Sequence, residues 1–173
     1  GYLVILDMEK RILKGSPSAF AMRTLSLRQE DYYIGVGKFH STMDEFHLSI
    51  QEALYASRYA RLFGENPVCF HQMGIYQILL PYCRNPWLEQ YCRSILDPIR
   101  EFDRQYDGEL FRTAELYVKK NGDVEAVAGE LHLHKNTIRY RMNKVRELVG
   151  EERDVRFDEQ LFVAFRTWEL QKL

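Results

Sequence analysis

The feature that most restricts this chain is the punctuation between Glu109 and Val149. Glu109 to Lys120 is amphipathic through Leu110, Ala114, Tyr117 and Val118, at helical spacing. Asn121-Gly122 stops it, because glycine accepts the left-handed backbone that a helix end needs. Asp123 then offers a side-chain oxygen to the free N–H groups of a following helix. That helix is short, with Val124, Val127, Ala128 and Leu131 in a single stripe, and small Ala128 and Gly129 permit a close crossing. Leu131-His132-Leu133-His134 forms a tight turn in which Leu133 fills the angle between helices. A second helix follows from Lys135 to Val149, with Ile138, Met142, Val145 and Val149 as a narrow apolar face. Stop, cap, short helix, tight turn and basic helix, in that order, predict a helix-turn-helix.

The opposite face of the last helix carries Asn136, Tyr140 and Asn143, flanked by Thr137, Arg139 and Lys144. Asparagine can pair with an adenine edge, threonine can meet a thymine methyl, and arginine can take guanine O6 and N7. Lys135, Arg139, Arg141, Lys144 and Arg146 can reach phosphates. Between Lys135 and Arg146 there is no acidic residue. Glu147 is the first, on the outward face, so contact with a phosphate backbone is expected to end there. Nine residues follow as candidates for double-stranded DNA: Lys135, Asn136, Thr137, Arg139, Tyr140, Arg141, Asn143, Lys144 and Arg146. The helix Phe157 to Leu170, with Phe157, Leu161, Ala164, Phe165 and Trp168 on one face, is expected to supply core beneath them; its Phe162 and Val163 point elsewhere.

The whole-chain balance makes this local cluster necessary. The 173 residues carry a formal net charge of -1, so no global field draws in nucleic acid. With 46% hydrophobic and 28% charged residues the composition is that of a soluble globular protein. No apolar run approaches the roughly 18 residues of a membrane span, and no membrane partner is expected. Cys69, Cys83 and Cys92 are odd in number and lack CxxC spacing, which predicts reduced thiols in a cytoplasm and no metal site. A start at Gly1 that enters a strand at once predicts a fragment with an upstream domain missing.

The first half has another character. Tyr2 to Leu6 reads as a strand buried on both faces, and Ser18 to Leu27 as weakly helical. Tyr32 to Val36 and Pro67 to His71 read as further strands. Between them a long helix runs from Asp44 to Phe63, ended by Gly64 and Pro67. It has two apolar faces, one through Phe46, Ile50, Ala53, Leu54 and Ser57, the other through Leu48, Tyr55, Tyr59 and Leu62. One face covers the sheet, and the other is left for a neighbouring helix, a further domain or a second subunit. Pro81, Pro86 and Pro98 punctuate the middle, and helices are expected to start just after each.

Ile95-Leu96-Asp97-Pro98-Ile99, Phe102-Asp103, Glu109-Leu110 to Asn121-Gly122 and Leu131 to Met142 together resemble the C-terminal region of PucR-type transcriptional regulators, the PucR/CdaR group. The His132-Leu133-His134-Lys135-Asn136-Thr137-Ile138-Arg139-Tyr140-Arg141-Met142 stretch is the most specific part. The resemblance implies a bacterial cytoplasmic regulator, usually an activator of catabolic or transport genes, with its small-molecule effector bound by an absent N-terminal domain. It also implies that the first half is part of a degenerate GGDEF-like domain. The expected fold is therefore α+β: a partial GGDEF-like α/β domain over 1–80, a helical connector over 81–107 and an all-helical helix-turn-helix domain over 108–173. A homodimer is expected, because recognition helices about 34 Å apart read a two-fold DNA site.

No enzyme and no cofactor are expected. Met43-Asp44-Glu45-Phe46 matches the end of a cyclase motif, but Thr42 and Met43 replace its glycines and the segment opens a helix, where Asp44 and Glu45 suit the dipole. Gly35-Val36-Gly37 lacks the third glycine of a nucleotide loop. His132 and His134 have no further metal ligand at a suitable spacing. His40 and His47 have no nucleophile beside them, and the Tyr55–Tyr59 stripe suits a core. Two rival readings stay open: a nucleotide-binding or cyclase-like domain with an incidental basic helix, and a protein-interaction module.

Overall fold

The structure is a computed structural model that describes residues 32–38, 40, 42–150 and 156–171. The segments Tyr2 to Leu6 and Ser18 to Leu27 lie outside the described residues. The chain divides into two compact units between Pro81 and Tyr82.

In the first unit, β1 (Gly35–Val36) leads through a 3-10 turn at Met43–Glu45 into α1 (Phe46–Phe63). The chain then forms β2 (Val68–Cys69), a second 3-10 turn at Phe70–Gln72 and α2 (Tyr76–Tyr82). β1 and β2 pair in parallel, Gly35 opposite Val68 and Val36 opposite Cys69. Both strands are shorter than the sequence predicts, and among the described residues the sheet has two strands. The described part is thus mostly helical and does not form a full GGDEF-like α/β domain.

The Gly35-Val36-Gly37 motif has a packing role. A Cβ on Gly35 would stand 2.1 Å from the Ala53 carbonyl oxygen and from the Ser57 nitrogen, and one on Gly37 would stand 2.2 Å from the Ser49 oxygen. The strand lies directly on the helix backbone, where no other residue fits. Polar ties hold it there: Ser57 Oγ donates to the Tyr33 carbonyl at 2.9 Å, and the Lys38 N–H donates to Glu52 Oε2 at 2.6 Å. The enclosed residues of α1 are accordingly Ala56 and Ala60, the small side chains, whereas Phe46, Leu48 and Leu54 are exposed. On its other flank, the rings of Tyr59, Phe63 and Tyr76 meet at centroid distances of 4.5, 5.2 and 5.1 Å.

The second unit is helical: α3 (Pro86–Tyr106), α4 (Leu110–Lys119), α5 (Val124–Leu131), α6 (Lys135–Val149) and α7 (Arg156–Leu170). Asn85 caps α3 by accepting from the Trp87 N–H at 2.9 Å, with Pro86 at the first helical position. Of the three prolines only Pro86 opens a helix. Pro81 lies inside α2 and Pro98 inside α3. An interior proline costs about 3 kcal/mol through its missing N–H and ring clash. Cys92, Ile95, Leu96 and Ile99, all buried around Pro98, offset that cost. The segment 81–107 therefore contributes core to the unit: Ile95, Leu96 and Ile99 share one cluster with Ile138, Val145, Phe157 and Phe165.

α3 packs on α7 and on α4, and α6 packs on α4, α5 and α3. Phe111, Phe165 and Trp168 form an aromatic knot under this arrangement, with the Arg100 guanidinium 4.7 Å from the Phe111 ring centre. α7 buries Phe157, Leu161, Ala164 and Phe165 as its pattern predicts; Thr167 and Glu169 are buried as well, Glu169 paired with Arg166 at 3.4 Å.

Candidate nucleic-acid interface

The recognition geometry starts with two left-handed residues. α4 ends through Asn121 (φ 52) and Gly122 (φ 82), with the Gly122 N–H returning to the Tyr117 carbonyl at 2.9 Å. Asp123 then caps α5: its Oδ1 accepts from the N–H groups of Glu125 and Ala126 at 2.9 and 3.0 Å. α5 closes through His132 (φ 54), and the Leu133 N–H donates to the Ala128 carbonyl at 3.0 Å. Leu133 packs on the core. Ala128 is buried in the core, but Gly129 is exposed and a Cβ there would meet nothing, so no close crossing depends on Gly129.

His134 caps α6, its Nδ1 accepting from the Asn136 N–H at 3.2 Å. The ring nitrogen takes the place that a serine or asparagine oxygen usually fills. Ile138, Met142 and Val145 are buried and Val149 is half-buried, so the expected apolar stripe is the packed face of α6.

The nine candidates separate by position around α6. At about 100° per residue, Asn136, Tyr140 and Asn143 fall within roughly 60° of one another. All three are exposed, Tyr140 by 70%. Lys135 and Arg139 are exposed beside them and Thr137 is half-buried. Arg139 Nη1 donates to Asn136 Oδ1 at 3.4 Å, and Arg146 Nη1 to Asn143 Oδ1 at 3.0 Å. Arg146 also lies over the Phe157 ring, 4.6 Å from its centre. The Lys144 ammonium sits 2.9 Å from Glu147 Oε2 and 5.7 Å from the Phe102 ring centre. The Glu147 carboxylate raises the Lys144 pKa above the ordinary lysine value, which keeps the group a cation.

Arg141 is placed differently from the other cations. Its Nη1 donates to Glu109 Oε2 at 3.1 Å and to Thr113 Oγ1 at 3.0 Å, and its side chain is 20% exposed. It joins α6 to α4 across the edge of the packed face. Its position is about 60° around the helix from Ile138, against about 140° from Asn136, which accounts for this direction.

Two further features had no local signal. Asp103, near the end of α3, caps α4 from outside, its two carboxylate oxygens accepting from the Leu110 and Phe111 N–H groups at 2.8 Å each. It fixes the α3–α4 corner on which the helix-turn-helix stands. Glu125, in the first turn of α5, pairs with Lys135 at 3.6 Å. In each case the partners are far enough apart in sequence that only the fold brings them together. Among the described residues no group of His, Cys, Asp and Glu could hold a metal ion, and no helix is long and apolar enough to cross a membrane.

Residues 110–166, which span α4 to α7, match the family described as the PucR C-terminal helix-turn-helix domain. The chain is 28% identical over 121 residues to the proline-responsive transcriptional activator PutR of Bacillus subtilis, covering 68% of this chain and 29% of that protein. It is 24% identical over 122 residues to the DNA-binding transcriptional activator AdeR of the same organism, covering 69% of this chain and 29% of that protein. The chain thus spans less than a third of the length of either relative. No solved structure matches it.

Proposed function

We propose, from the premise that residues 110–166 are a PucR-type helix-turn-helix, that this chain is the DNA-reading end of a transcriptional activator. The domain match and the likeness to two transcriptional activators support reading it as part of a DNA-binding transcriptional regulator. The observation that carries the residue-level reading is the exposed face of Asn136, Tyr140 and Asn143, opposite a buried Ile138–Val145 stripe and edged by Lys135 and Arg139. In this reading α6 enters the major groove. Asn136, Thr137, Tyr140 and Asn143 meet base edges, while Lys135, Arg139, Lys144 and Arg146 meet phosphates.

The same proposal holds that two copies act as a homodimer on a two-fold site in the cytoplasm. It assigns sensing of a small metabolite to an upstream domain and no catalysis to this chain. The first unit would be a remnant of a GGDEF-like domain. The parallel pairing of β1 with β2 across α1 supports this, as do Gly35 and Gly37, which serve packing.

The test is selection of bound duplexes from a random pool, followed by anisotropy titration of the selected site. Arg139→Ala is expected to weaken binding to all duplexes alike, and Asn136→Ala to change the preference among sites by about 1–3 kcal/mol at one base pair. Affinity unaltered by both substitutions would remove α6 from the groove.

A further inference from the structure

We propose that Glu125 and Glu147 are affinity-setting residues: they occupy the cations at the two ends of the reading face and hold down binding to DNA of any sequence. The inference rests on the DNA-binding reading above. Lys135, at the start of α6, pairs with Glu125 of α5 at 3.6 Å, and Lys144, about two and a half turns along, pairs with Glu147 at 2.9 Å. Both carboxylates are open to solvent, Glu125 by 78% and Glu147 by 66%.

Neither carboxylate is needed to hold the fold. Asp123 already caps α5 and accepts both of the N–H bonds there. Glu147 makes its ion pair within its own helix, and Gly150 in the left-handed conformation ends that helix. Glu125 does reach across to α6, but through an open pair at 3.6 Å, whereas Glu109 holds an Arg141 that is only 20% exposed and also bonded to Thr113.

Their placement gives them an effect on DNA. At about 100° per residue, Glu147 falls roughly 20° from Asn136, on the face of α6 that presents Tyr140 and Asn143. A groove that takes this face is walled by phosphates. The carboxylates travel with the cations, within the roughly 8–10 Å over which charges still interact at ordinary salt. Each pair therefore either breaks on docking or brings a negative charge beside the phosphates. Phosphates are the same at every sequence, so the cost is uniform, and base contacts alone must lift the correct site above it.

The experiment titrates this chain against its selected duplex and a scrambled one, at several salt concentrations between about 50 and 200 mM. Glu125→Gln and Glu147→Gln are each expected to strengthen binding to both duplexes about two- to fivefold, leaving the ratio between duplexes unchanged. The slope of log affinity against log salt should steepen by up to about one for each. Glu147→Lys should act in the same direction and more strongly. Glu89→Gln is the control: it breaks the Glu89–Arg93 pair at the far end of α3, about 25 Å along that helix from Tyr106, and should change neither quantity. Melting curves verify that each variant is folded. Unchanged affinity and slope in the Glu125 and Glu147 variants, or a gain limited to the selected duplex, would overturn the inference while leaving DNA binding intact. A parent chain that binds neither duplex would overturn both.

Discussion

Replacing Arg141 by alanine separates two roles that a basic residue on a recognition helix can have. In the structure its guanidinium spans from α6 to α4, with one bond to Glu109 and one to Thr113. Glu109 is 50% exposed, so the ion pair is partly screened and contributes up to about 1 kcal/mol. The bond to Thr113, whose residue is fully buried, is charge-assisted and partly shielded, and adds about 1 kcal/mol. Arg141→Ala should therefore destabilise the fold by about 2 kcal/mol, which lowers the melting midpoint by roughly 4–8 °C for a chain of this size. Thr113 keeps its bond to the Glu109 carbonyl at 2.7 Å, so the substitution leaves no buried hydroxyl without a partner. Arg139, two residues away and exposed, should show the opposite pattern when changed to alanine: an unchanged midpoint and a salt slope shallower by about one. The assay is a thermal melt followed by far-ultraviolet circular dichroism, paired with anisotropy titrations at two salt concentrations well below the midpoint. If Arg141→Ala melts with the parent and loses the same salt slope as Arg139→Ala, Arg141 is a phosphate contact and its role as a clamp is wrong.

Three further outcomes follow from the packing. Asp103→Ala removes both acceptors at the α4 start and should cost about 1–2 kcal/mol in urea unfolding, while Asp103→Asn, keeping one oxygen, should cost less; equal losses would show that the carboxylate charge matters more than the geometry. Gly35→Ala drives a methyl into the α1 backbone and should destabilise the first unit by about 3 kcal/mol, read as new protease cleavage before Pro81; an unchanged digest would refute the close approach. The Cys92 thiol has its pKa raised by burial, in part drawn back by Thr167. Its favourable neutral form is fully present below the ordinary thiol value and is lost as pH rises through the higher folded one, so native-state alkylation near pH 8 should label half-buried Cys83 first; equal labelling rates would refute this.

The local punctuation of the second unit could be read without a structure. Asn121-Gly122, Asp123 and the stripe from Ile138 to Val145 act through neighbours within one turn, so spacing and residue type suffice to identify them. Pro98 misled for the same reason, since a local rule cannot weigh the burial of Ile95, Leu96 and Ile99 around it. The strands at Tyr32 to Val36 and Pro67 to His71 are shorter than their apolar runs suggest, because such runs do not reveal how many residues find a ladder partner.

What the sequence determined by itself, then, is the order and ends of the helices between Glu109 and Val149, and which face of α6 is apolar. These depend on backbone conformation and on periodicity, both encoded within a few residues. The tertiary structure alone decided which of the basic residues on α6 are available. Arg141 is held by Glu109 and Thr113, 32 and 28 positions away, and Lys135 by Glu125 of α5, whereas the Lys144–Glu147 pair is local to α6. It also decided that Asp103 caps a helix other than its own and that Gly35 and Gly37 make room for α1. A charged or small side chain carries no mark of its partner. The partner is chosen when packing brings distant segments within hydrogen-bonding or contact range.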